Sequence, residues 1–239
     1  MSCILNIETS TSVCSVALSM DGEVLFAKAS FDGPSHAALL GVFVEEALSV
    51  LKKKGKKALD AVAVSSGPGS YTGLRIGVYV AKGLCFGFGI PLIGIHTLDI
   101  MAATVNSKGD SQIVSMTDDC LYCAMLDARR MEVYAAIYDA SLKPVRETKA
   151  DIVEVGTYAS YLEKGKVCFF GNGASKCKSV ITSPNAIFIE DIHPLAVNMI
   201  PLSEQAFAAG KFEDTAYFEP FYLKEFQATV AKNKVLLAR

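Results

Sequence analysis

Two interleaved sets of side chains run along residues 12–19. Val13, Ser15, Ala17 and Ser19 alternate with Cys14, Val16 and Leu18, and a period of two predicts a strand. The run at 3–9 predicts a strand before it and residues 23–30 a strand after it, with Asp21-Gly22 as the hairpin turn. The period then lengthens. Leu39, Leu40, Phe43, Val44, Ala47, Leu48 and Leu51 recur near i, i+3, i+4, i+7, which predicts a helix opening at Pro34-Ser35 and running to about Lys54. Lys52, Lys53 and Lys54 complement the dipole of its last turn, and Gly55 stops it. A buried strand at 59–65, a glycine-rich turn at 66–73, a helix at 72–88, a strand at 90–95 and a helix from Thr97 to about Val105 follow.

The later residues repeat this order. Strands are predicted at 121–126, 132–138, 145–152 and 167–170, with a helix at 157–164 before the last of them. A second glycine turn at 171–175 leads into another helix, and a further helix covers 195–210; the tail is expected to fray after about Thr229. In the two halves Glu8 falls on Asp127, and Gly67-Pro68-Gly69-Ser70 falls on Gly171-Asn172-Gly173-Ala174. One order met twice, with both glycine turns in register, predicts a duplicated α/β fold: an N-terminal lobe over 1–100 and a C-terminal lobe with a tail over 101–239. Mixed sheets flanked by helices, facing each other across a cleft, are the architecture of the actin-like (ribonuclease H-like) and sugar-kinase-like ATPases.

The chemistry expected of that cleft is phosphate binding. Glu8, Thr9, Ser10 and Thr11 close the first strand with a carboxylate and hydroxyls. Gly67, Gly69 and Ser70 precede a helix N-terminus, where the dipole favours an anion. Asp127, Gly171 and Gly173 supply the matching positions of the second copy. Turn sterics alone would explain one Gly-x-Gly; two in duplicated positions favour an inherited nucleotide site. Whether ATP or ADP still binds there is open.

Composition narrows the classes. Of 239 residues 51% are hydrophobic and 20% charged, enough for a sizeable core. The net charge of −2 excludes a chain that grips nucleic acid unaided. Seven loosely spaced cysteines fit no disulfide framework and point to a reduced, cytoplasmic compartment. Glu8 interrupts any leader-like stretch, and Arg75, Lys82, Pro91 and five glycines break the most apolar run, 74–95, so no membrane span is expected. Cys120 and Cys123 lack the second pair or the histidine a zinc site needs. Arg129 and Arg130 read equally as phosphate contacts or as ion-pair partners of Asp127 or Glu132.

A packing signal lies on the second helix. Gly73, Gly77 and Ala81 recur every four residues, and so do Gly83 and Gly87. Each interior glycine costs roughly 1 kcal/mol against alanine, so the stripes imply close backbone approach. One stripe is expected to face the domain and the other a partner. The expected partner surface is His36, Leu39, Leu40 and Phe43 of the first helix with Gly73, Arg75, Ile76, Gly77, Val80 and Ala81 of the second.

The segment from Gly67 to Gly77, continuing to Ala81-Lys82-Gly83, resembles the signature of the bacterial TsaB (YeaZ) family. Residues 127–134 are similar to that family's second signature, Pro220-x-Tyr222-Leu223-Lys224 to a third, and residues 4–18 fit its opening hairpin. The resemblance implies a role in making N6-threonylcarbamoyladenosine at position 37 of tRNA. It further implies a non-catalytic partner of TsaD working with TsaE, self-pairing when alone, meeting tRNA only through the complex and needing no cofactor. The catalytic paralogue carries two metal-ligating histidines four residues apart; here His36 is followed by Leu40, and one histidine cannot replace the pair. The family more often has Asp where Glu8 stands, and the added methylene would shift a metal-ligating oxygen by about 1.5 Å. An ATP-dependent small-molecule kinase using Glu8 and Asp127 is the alternative, and a metallopeptidase a weaker one.

Overall fold

The computed structural model describes residues 2–33, 35–55, 58–107 and 120–224. Strands β1 (Cys3–Glu8), β2 (Cys14–Met20) and β3 (Glu23–Ser30) form an antiparallel meander. Helix α1 (His36–Lys53) leads to β4 (Ala61–Gly67), which lies parallel to β1, and α2 (Tyr71–Phe88) leads to β5 (Leu92–His96), parallel to β4. The sheet order is β3-β2-β1-β4-β5.

Helix α3 (Thr97–Ser107) is followed by β6 (Leu121–Asp127), β7 (Glu132–Tyr138), β8 (Pro144–Ile152), the one-turn α4 (Ala159–Leu162), β9 (Val167–Phe170) and β10 (Ala186–Ile189). Their sheet runs β10-β9-β6-β7-β8, the first order read backwards. The duplication expected from the sequence is therefore present, and β10, which hydrophobic periodicity did not reveal, completes it as the counterpart of β5. The helix expected after Gly173 is only a 3₁₀ segment, Ser175–Ser179. The helix expected over 195–210 divides into a 3₁₀ turn, Ala196–Met199, and α5 (Ile200–Ala208), with Pro201 in the first turn. Pro34, Lys56, Lys57 and the tail after Thr229 lie outside the described residues.

Each sheet is covered on both faces. Leu5, Ile7, Val62 and Val64 meet Leu40, Phe43 and Ala47 of α1 and Val78 and Ala81 of α2. The opposite face, with Ile4, Ala17, Ala63 and Ile93, meets Ile100 of α3 and Ala196, Met199 and Ile200. In the second sheet, Met125, Val133 and Phe169 pack on Tyr158, Leu162 and Cys177. Its other face, with Ala124, Leu126 and Phe170, packs on Leu98, Met101 and Val105 of α3. Helix α3 thus serves both cores, and residues 196–208 belong to the first. The expected boundary at residue 100 lies within α3, the helix that packs on both sheets.

Candidate functional site

A cleft of about 1110 Å³ lies between the end of β1 and the end of β6. Ser10, Thr11, Ser12, Gly69, Ser70 and Tyr71 line one side; Asp127, Arg129, Arg130 and Asn172 line the other; Tyr222 and Lys224 come from the chain end. Of the cleft residues named from sequence, Ser10, Thr11, Gly69, Ser70 and Asp127 do face it. Glu8, Thr9, Gly67, Gly171 and Gly173 do not.

The glycines are held by the protein's own backbone. The Ser70 N–H donates to the Ser10 carbonyl at 2.6 Å, and a Cβ on Gly69 would sit 2.3 Å from that oxygen. In the second copy the Gly173 N–H donates to the Met125 carbonyl at 3.0 Å, and a Cβ on Gly173 would meet the Leu126 carbonyl carbon at 2.7 Å. A Cβ on Gly67 would strike the Phe221 carbonyl at 2.7 Å, and one on Gly171 the Met125 carbonyl at 2.4 Å. Real Cβ contacts are longer, so the chain crossing itself fixes these positions, and no ligand is needed to explain them. Ser70 caps α2, its Oγ accepting from the Gly73 N–H at 3.2 Å.

The two acids do not form a pair across the cleft. Glu8 is buried: its Oε1 accepts the Ser10 N–H at 2.5 Å, while its Oε2 has no partner. Burial pushes its carboxyl up to about 7, the bonds from Ser10 and Ser65 opposing that shift. Thr9 is also buried and donates Oγ1–H to the Gly73 carbonyl at 2.8 Å. Asp127 is exposed, but its Oδ1 is taken by Lys176 and by the Arg129 N–H at 3.0 Å. Glu132 pairs with Lys224, so both carboxylates considered for the arginines are held by lysines. Arg129 and Arg130 stand exposed with φ of 72° and 48°, left-handed backbone that a non-glycine residue adopts at a cost. His36 Nε2 lies 2.7 Å from the Thr11 carbonyl, and its Nδ1, like the Ser10 Oγ, is buried without a partner. Among the described residues no three His, Cys, Asp or Glu side chains gather as a metal site.

The expected partner surface needs a larger correction. His36, Leu40, Phe43, Gly73, Gly77 and Ala81 are buried inside the first lobe. A Cβ on Gly73 would meet the Thr9 carbonyl at 2.2 Å, and one on Gly77 the Thr9 Oγ1 at 2.3 Å. That stripe admits the lobe's own β1 end. Leu39, Ile76 and Val80 are half-buried against the same core. Arg75 is exposed; its guanidinium lies 4.1 Å from the Tyr71 ring centre, and its Nε–H donates to the Tyr222 hydroxyl at 3.2 Å. Among the described residues it pairs with no carboxylate. The large apolar side chains that α1 and α2 leave exposed are Val42, Tyr79, Phe86 and Phe88, Phe86 being 88% exposed, and at Gly83 and Gly87 an added Cβ would meet nothing within 4 Å. Tyr79 and Phe86 stand seven residues apart, outside the buried stripe. That spacing was the available sequence signal, and the glycine pattern masked it.

The family model for TsaD, tRNA N6-adenosine threonylcarbamoyltransferase, matches residues 32–232. An Escherichia coli K12 protein named tRNA threonylcarbamoyladenosine biosynthesis protein TsaB is 31% identical, covering 92% of this chain and 94% of its own length. A protein of the same name from Buchnera aphidicola is 27% identical, covering 86% and 93%. The solved structure of YeaZ from Pseudomonas aeruginosa, 26% identical, superposes with a TM-score of 0.75 over 93% of this chain and all of that one.

Proposed function

The chain belongs to the TsaB (YeaZ) family, and on that premise we propose that it serves tRNA threonylcarbamoyladenosine synthesis as a partner subunit without a catalytic centre of its own. The state of Glu8 carries this reading. A phosphoryl- or carbamoyl-transfer site needs a carboxylate that reaches the reacting group or its metal. Glu8 instead lies under Ser10, and Asp127 is neutralised by Lys176.

The partner is TsaD, and the docking surface is the outer face of α1 and α2. Val42, Tyr79 and Phe86 provide apolar anchors, and Gly83 and Gly87 let another helix approach closely. In this reading the free chain pairs with itself through the same face, TsaE joins the complex, and tRNA is bound by the assembly. Reconstitution tests it. With tRNA and threonylcarbamoyl-adenylate, the purified chain alone yields no modified nucleoside, and adding it to TsaD and TsaE raises the yield. Modification by the chain alone would reject the proposal.

The hydroxyls and arginines of the cleft favour a second reading, retention of a nucleotide. Calorimetry with magnesium-ATP decides it: saturable heat supports binding, and substrate-dependent ADP release would revive the kinase alternative.

A further inference from the structure

We propose that Cys120 and Cys168 are an oxidant-sensitive dithiol that closes to an intrachain disulfide on exposure to a hydroperoxide. Cys120 stands directly before β6 and Cys168 within β9, the parallel neighbour of β6. The Leu121 N–H donates to the Lys166 carbonyl at 3.0 Å, which draws the start of β6 against the start of β9. Alternation along β9 puts Cys168 on the face of Phe170, opposite Val167 and Phe169. The two Sγ atoms are 2.9 Å apart. A disulfide bond is about 2.05 Å long, so closure needs a further approach of about 0.9 Å.

Either sulfur can donate in the contact between them, and Lys166 lies near both thiols. In this proposal Cys120, at the start of β6, is the attacking sulfur and Cys168, within β9, the resolving thiol. The Cys120 sulfur attacks one peroxide oxygen; an S–O bond forms, the O–O bond breaks, and the released oxygen leaves as water or the corresponding alcohol. The Cys168 sulfur then attacks the Cys120 sulfur; the S–S bond forms, the S–O bond breaks, and the Cys168 proton leaves with that oxygen as water. Two thiols are oxidised and one peroxide is reduced. Both residues are buried, so the rate is set by opening of the β6 start.

The test treats the full-length native chain with hydrogen peroxide, then counts thiols after denaturation and maps linked peptides by mass spectrometry. The expected result is a fall from seven titratable thiols to five, one linked peptide pair holding Cys120 and Cys168, and recovery of all seven with dithiothreitol. Cys120→Ser and Cys168→Ser should each abolish the link. Seven thiols surviving, a link between other cysteines, or sulfinic acid at Cys120 with Cys168 still free would overturn the proposal. Peptide mapping of the wild type decides it even where a variant folds poorly.

Discussion

Glu8 has opposite consequences for chemistry and for stability. Its carboxyl titrates near 7 in the folded chain against an ordinary value of 4.5. The native state therefore holds a proton that the unfolded state has already lost between those values, so stability falls as pH rises through that window. The loss by pH 8 amounts to at most about 3 kcal/mol. Chemical denaturation from pH 5 to 8 should show this decline, and Glu8→Gln, which cannot ionise, should flatten it. An unchanged slope in the variant would place the titrating group elsewhere. The sequence identified Glu8 as the acid ending β1 but could not show which way it points. Strand β1 is buried along its whole length, so alternation marks no polar face. At the same scale, Gly77→Ala places a Cβ against Thr9 Oγ1; the overpacking should cost on the order of 1–3 kcal/mol and lower the Tm. The sequence alone would assign that glycine to association.

Elements were legible where side-chain period and turn chemistry agreed. Strands β3, β7 and β9 have the bounds their patterns predict, and α1 ends in its lysine turn just before Gly55. Strand β10 is as short as β9, but it escaped because no glycine turn marks its end as Gly171-Asn172-Gly173 marks that of β9. The helix expected after Gly173 fails because Ser175, Cys177, Ser179 and Val180 are weak helix formers and Pro184 follows closely. Helix α2 misled for a different reason: its small-residue stripe is real, but the backbone it admits is β1 of the same lobe. The side proposed here to face a partner is the aromatic one. Replacing Tyr79 and Phe86 together by Asp should leave the Tm nearly unchanged, since both are exposed. The same change should shift self-association in sedimentation toward monomer; an unaltered profile would remove this face from the proposed interface.

At the scale of the whole molecule the halves form one body. Helix α3 is shared by two cores, and the chain end returns across the cleft. The Phe221 N–H donates to the Ser66 carbonyl at 2.6 Å, Tyr222 packs on Tyr71 with tilted rings whose centres are 4.9 Å apart, and Lys224 reaches Glu132 of β7. Tyr222→Ala removes the ring contact and the Arg75 hydrogen bond and should destabilise the chain by about 1–2 kcal/mol, read as a lower denaturation midpoint. A cleft strapped by its own chain, whose lining acids Asp127 and Glu132 are each paired with a lysine, fits the proposal of a subunit that acts by docking. The most direct measurement compares two variants in the reconstituted tRNA modification assay with TsaD and TsaE. Glu8→Gln, which removes the only buried carboxylate beside the cleft among the described residues, should keep the wild-type rate. The Tyr79 and Phe86 double Asp variant should lose tenfold or more, since burying an aromatic anchor is worth about 2 kcal/mol or more. The opposite pattern, a rate abolished by Glu8→Gln and indifferent to the outer face of α2, would contradict the account.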